Sequence, residues 1–142
     1  MQKKRITKGF TIIELTVSIV IMGILIVTLQ QGYSYIMNRA KNFSTTGALR
    51  SVKSSVKTFY DDTGSYPRTF NDLISRPTDP KIAKRWQGPY TDKTEIPDDG
   101  WKRPLQYKQN AKGSQHEYEL YSWGAKGEDS APEEWINVWN LE

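Results

Sequence analysis

The strongest constraint on this chain is the run Phe10 to Leu29, twenty residues carrying a single formal charge, Glu14. A helix rises about 1.5 Å per residue and the hydrocarbon core of a bilayer is about 30 Å thick, so the run is just long enough to cross. A cleaved secretory signal has a shorter apolar region, followed by a site rich in small residues. Here Leu29 is followed by Gln30-Gln31-Gly32-Tyr33, a poor site of that kind. A plain anchor leaves Glu14 unexplained. A carboxylate near the bilayer centre costs at least about 2.5–3.5 kcal/mol, and such residues generally have a partner and a task. The sequence reading places Glu14 well inside the span, and no Lys, Arg or His occurs between Gly9 and Asn38 to pair with it. Cleavage after Gly9 would give Phe10 a new α-ammonium one helical turn from Glu14. That ammonium could pair with Glu14 of the same chain or of a neighbour, which predicts a self-associating helix.

The net charge of +4 suggests an anionic partner, but the four leader residues Lys3, Lys4, Arg5 and Lys8 account for it. Without them sixteen basic and sixteen acidic residues remain. The basic bias is therefore a topology signal. It keeps the N-terminus on the cytoplasmic side, and the rest is exported. Nucleic acid is not an expected partner. With 142 residues, the part beyond the span suffices for one small domain, and the absence of cysteine means that no disulfide holds it.

Beyond the span the helix is expected to continue to about Tyr60. Tyr33, Ile36, Ala40, Phe43, Thr46, Leu49, Val52, Val56 and Phe59 recur three or four apart, forming one face on which a globular domain can rest. Gly23 and Gln31-Gly32 are its weak points. Asp61-Asp62-Thr63-Gly64 ends it, with Gly64 as a left-handed cap. Thr69 is read as the cap of a short helix, Phe70 to Ser75. Thr78 to Arg103 reads as an ordered loop pinned by Trp86, Tyr90 and Trp101. Leu105 to Lys108 and Tyr118 to Tyr121 alternate in polarity about a turn at Asn110 to Ser114, which predicts a β-hairpin. The tail from Trp123 reads as loop. The fold class is thus α+β, a long N-terminal helix packed against a small antiparallel sheet with long loops. The divisions are residues 1–9 as leader, 10–30 as membrane and assembly helix, 31–61 as amphipathic helix and 62–142 as globular domain.

Catalysis is not expected. The one histidine, His116, falls at the hairpin turn, where a solvated side chain is the default. Asp61-Asp62 and Asp98-Asp99 sit in turns and are explained by turn chemistry. Trp86 and Trp101, near Arg85, Lys102 and Arg103, are read as core residues before they are read as a stacking groove for sugar or single strands.

The junction Lys8-Gly9-Phe10-Thr11-Ile12-Ile13-Glu14, with its basic leader and apolar helix, resembles the signature of the type IV pilin-like superfamily. The resemblance implies a prepilin peptidase cutting between Gly9 and Phe10, N-methylation of Phe10, and assembly into a filament in which Glu14 pairs with a neighbour's Phe10 amine. A proline usual in that family is absent at Gln31, which bears on melting of the helix between Gly23 and Gln31. Further along come Asp62-x-Gly64-x-Tyr66-Pro67, Leu73-Ile74, Arg76-Pro77, Gly88-Pro89-Tyr90, Asp99-Gly100-Trp101-x-x-Pro104-Leu105-x-Tyr107, Tyr121-Ser122-x-Gly124-x-x-Gly127 and Ile136 to Asn140. Their order resembles the major, G-type pseudopilins of type II secretion systems. That implies a homopolymeric pseudopilus driving protein export across the outer membrane. The implied partners are minor pseudopilins, an inner-membrane assembly platform and a secretion ATPase. A type IV pilin used for adhesion, motility or DNA uptake is the alternative, and a membrane-tethered glycan-binding module a more distant one.

The resemblance also implies calcium in the C-terminal loop, after a Ser-x-Gly-x-Asp-Gly segment and with later paired aspartates. Here Ser122-Trp123-Gly124-Ala125-Lys126-Gly127 has a lysine at the first aspartate. Aligning Ile136 and Trp139 with the closing residues puts Glu134 and Trp135 on the paired ones. The expectation is no cofactor. A displaced calcium site would have to be built from Asp129, Glu133 and Glu134, against Lys126 and Trp135. Lys126 is expected instead to pair with Glu134 or Asp129.

Overall fold

The computed structural model describes residues 9–141, apart from Lys93 and the side chain of Gln31. The basic leader residues and Glu142 lie outside the described residues. In chain order the elements are α1 (Ile12–Thr63), α2 (Asn71–Ile74), α3 (Pro80–Ala83), β1 (Gln106–Gln109), β2 (Tyr118–Ser122) and β3 (Ile136–Asn137), with short 3₁₀ turns near the C-terminus. The chain forms two compact units, one through Met37 and one from Asn38 to Glu142.

In the first unit α1 is helical from Ile12 onward, including Gly23 and Gly32. Its apolar side chains from Ile12 to Leu29 are all exposed. The hydroxyls of Thr16, Ser18 and Thr28 donate to carbonyls of their own helix, Ile13 O at 2.9 Å, Glu14 O at 2.7 Å and Leu25 O at 2.9 Å. Polar groups so satisfied suit a segment with no water to bond to.

In the second unit the helical face formed by Leu49, Val52, Val56 and Phe59 packs with Leu73, Leu105, Tyr118, Leu120 and Val138 into one core. The sheet is antiparallel with order β1-β2-β3. Gln106 opposes Tyr121 and Gln109 opposes Tyr118, while Tyr121 opposes Asn137. In β2 the residues Tyr118, Leu120 and Ser122 point inward, the period-two pattern of a half-buried strand. Gly64 has φ +73°, and its N–H donates to Tyr60 O at 2.8 Å, the left-handed stop expected of it.

Several expectations need correction. Within the second unit, Phe43, expected on the buried face, is 83% exposed, while Thr45 is fully buried. Lys41 and Thr45 meet the Gly100 loop, and Phe43, two residues from each, faces the opposite side of the helix. Thr69 does not cap α2. Phe70 occupies the N-cap position, and the Asp72 carboxylate accepts the N–H groups of Arg68 and Thr69 at 2.7 and 3.3 Å. The long loop contains α3, capped by Asp79, whose side chain accepts from Lys81 N at 3.0 Å. The tail contributes the two-residue strand β3. His116 is half-buried, stacked on Trp139 with ring centroids 4.3 Å apart. The aromatic anchors do hold the loop, with Trp86 Nε1 donating to Asp72 O at 2.9 Å and Tyr90 OH to Asp62 at 2.9 Å.

Gly100 makes the closest approach in this unit. A Cβ there would lie 2.2 Å from Lys41 O and 2.6 Å from Lys41 Cα, while its N–H donates to Thr45 Oγ1 at 2.8 Å. Backbone cannot rotate away, so Gly100→Ala must push the loop off the helix and break that bond. Overpacking costs about 1–3 kcal/mol and a hydrogen bond about 0.5–1.5 kcal/mol, so the thermal midpoint should fall by roughly 5–15 °C. A matching control is Gly47→Ala, where a Cβ meets nothing within 4 Å and no loss is expected. Equal midpoints for the two variants would contradict the packing account.

Burial disfavours the phenolate of Tyr118, pushing its pKa up to about 12, and raises that of Tyr107, whose hydroxyl donates to Pro67 O at 2.7 Å. Unfolded tyrosines titrate near ~10. The contribution is complete below that pH; above it the unfolded chain loses protons that the fold retains, so stability falls as pH rises. Thermal midpoints should therefore drop above about pH 10, less steeply in Tyr107→Phe; identical slopes would refute the role of Tyr107.

Candidate functional site

Thr11 starts α1. Its Oγ1 accepts the Glu14 N–H at 3.3 Å, and its carbonyl accepts the Leu15 N–H at 3.1 Å. Threonine followed three residues later by glutamate is the sequence of a capping box, which marks a helix start. Glu14 therefore stands in the first turn of the helix. The carboxylate lies at the positive end of the helix, where unsatisfied N–H groups favour negative charge. Phe10 and Glu14 are exposed, and among the described residues no side chain pairs with Glu14. At Gly9 an added Cβ would meet nothing within 4 Å. Among the described residues, packing gives no reason for glycine there.

The second candidate region is the C-terminal loop. Asp99 is buried and accepts from Trp101 N at 2.8 Å, Arg103 N at 2.9 Å and the Ser122 hydroxyl at 2.7 Å. Ser122 Oγ in turn accepts the Gly124 N–H at 3.1 Å. The Arg103 guanidinium donates to Gly124 O. Lys126 pairs with Glu134, one of its two expected partners. Asp129 and Glu133 are exposed. Trp135 lies flat on Tyr121, with centroids 4.4 Å apart and planes at 5°, and its Nε1 donates to Ser130 O at 3.1 Å. Asp99 is thus occupied as an acceptor for its own turn, and Asp62 by the Tyr90 hydroxyl. Trp86 is engaged with Asp72 and Tyr90, and Trp101 with Arg103 at 5.7 Å.

A bare apolar helix, followed by helix, small antiparallel sheet and ordered loops, is the architecture of the pilin-like class. Residues 4–29 match the prokaryotic N-terminal methylation motif, and residues 34–140 match the family described as type II secretion system, protein G. The chain belongs to that family. It is 29% identical to the type II secretion system core protein G of Pseudomonas aeruginosa, over 97% of each chain. It is 28% identical to the protein of the same name in Aeromonas hydrophila, over 99% of this chain and 97% of that one. For the Vibrio cholerae protein of that name the identity is 24%, over 100% and 98%.

Proposed function

We propose that this chain, a structural subunit of a type II secretion pseudopilus by its family, enters the inner membrane with its N-terminus cytoplasmic. It is then cut between Gly9 and Phe10, methylated at Phe10, and polymerised through α1 with its folded unit in the periplasm. The observation that carries this reading is the helix start. Glu14 is the single charge in the twenty residues from Phe10 to Leu29, and among the described residues it has no side-chain partner and Gly9 no packing that requires a glycine. Each would be explained by an outside partner: the glycine by a peptidase, the carboxylate by a neighbour's Phe10 ammonium. Moving the apolar helix from lipid into a bundle of identical helices keeps its exposed side chains out of water throughout. Filament growth would then push exoproteins toward an outer-membrane channel, with the assembly platform, ATPase and minor pseudopilins as separate proteins.

Deleting the gene and assaying the culture medium tests this. Exoproteins should accumulate in the periplasm while surface pili persist. Loss of surface pili with unchanged secretion would favour the type IV pilin reading instead.

A further inference from the structure

The calcium that the resemblance implies does not fit the residues present in the C-terminal loop. Calcium takes 6–8 oxygen ligands, and its affinity rises with the number of carboxylates. Among the described residues no three His, Cys, Asp or Glu side chains gather in a metal-holding group. At the first of the aspartate positions stands Lys126, whose ammonium occupies the Glu134 carboxylate. A second cation, Arg103, takes the Gly124 carbonyl. It also lies against Gly127, where a Cβ would come within 2.6 Å of its Nη1. At one of the paired positions stands an indole.

We propose that the loop from Trp123 to Trp135 is a metal-free lock, in which Lys126 and Trp135 do the work of an ion. Their contacts join the two ends of the same loop. Lys126 reaches from the 3₁₀ turn Gly124–Lys126 to Glu134 at the end of the 3₁₀ turn Pro132–Glu134. Trp135 clamps the middle, stacking on Tyr121 of β2 and donating to Ser130 O. Ser130 is itself tied back, its N–H to Gly127 O at 3.1 Å and its hydroxyl to Trp123 O at 3.3 Å. The Lys126 and Glu134 side chains are 70% and 39% exposed, so their Coulomb attraction is largely screened. Flat aromatic contact is not screened, and the indole clamp therefore carries most of the closure. The fixed ammonium also repels a divalent ion approaching Glu134. The folded loop and any filament built from it are accordingly independent of calcium.

The test uses the full chain in detergent micelles, with thermal unfolding and hydrogen exchange followed in millimolar calcium and in chelator. The midpoint and the protection of residues 124–134 should be the same in both. A ligand binding only the folded state raises its stability with concentration, so a calcium-dependent rise of several degrees overturns the proposal. In the second arm Lys126→Ala should speed exchange in residues 127–134 several-fold, and Trp135→Ala more than that, with calcium restoring neither. Trp135→Phe keeps an aromatic stack and removes the N–H donor; it should fall between Trp135→Ala and the parent. Unchanged exchange in both Lys126→Ala and Trp135→Phe overturns the lock even if calcium has no effect.

Discussion

Gly9→Val is expected to leave the protein at its full precursor mass, inserted in the membrane and absent from filaments. Among the described residues nothing opposes the change, because an added Cβ at Gly9 meets no atom within 4 Å. Its effect must therefore arise from whatever reads the junction from outside. A β-branched residue restricts the backbone and crowds the peptide bond to Phe10, where a peptidase needs close approach at the membrane face. Processing should fall to background on an immunoblot that resolves precursor from mature protein. The thermal unfolding of the folded unit should not move. Normal processing of Gly9→Val would remove the argument for cleavage at this bond.

Glu14→Val should separate insertion from assembly. Removing the carboxylate eases transfer into lipid by at most about 2.5–3.5 kcal/mol, the cost at the bilayer centre, and forfeits only about 0.3–1 kcal/mol of favourable helix-terminus interaction. Insertion and cleavage should proceed. Assembly should not, because the neighbour's Phe10 ammonium would be left buried and unpaired. Breaking one side of a buried ion pair costs about 3–5 kcal/mol, on the order of a hundredfold or more in each subunit contact. Filament yield, counted by electron microscopy of overexpressing cells, should collapse. Glu14→Gln retains polarity without charge and should fall between the two. A normal yield from Glu14→Val would refute the pairing.

The features legible in the sequence are those that repeat or that break a pattern. The three-to-four spacing of Leu49, Val52, Val56 and Phe59 encodes a buried helical face, and the alternation of Tyr118 to Tyr121 encodes β2. Gly9, Phe10 and Glu14 stand out because each violates what a plain anchor needs. What escaped was set by partners distant in the chain or by elements too short for a period. Two residues, Ile136 and Asn137, cannot show alternation, and their strand exists because β2 offers an edge at Tyr121 and Ser122. Phe43 is exposed because it stands two residues from both Lys41 and Thr45, on the opposite side of the helix from the Gly100 contact, which the three-to-four spacing of the stripe does not encode. Helix α3 carried a readable signal, Asp79 followed by Pro80 at the first helical position, within a stretch otherwise rich in turn residues. The Thr11 cap was equally readable from Thr-x-x-Glu. By contrast, only the fold could choose Glu134 over Asp129 as the partner of Lys126.

The chain is expected to mature at Gly9-Phe10 and to polymerise through the helix beginning there. The mass of the N-terminal peptide from assembled filaments tests it most directly. That peptide should start at Phe10 and carry one methyl group on its α-amine. Filaments whose subunits retain residues 1–9 would contradict it.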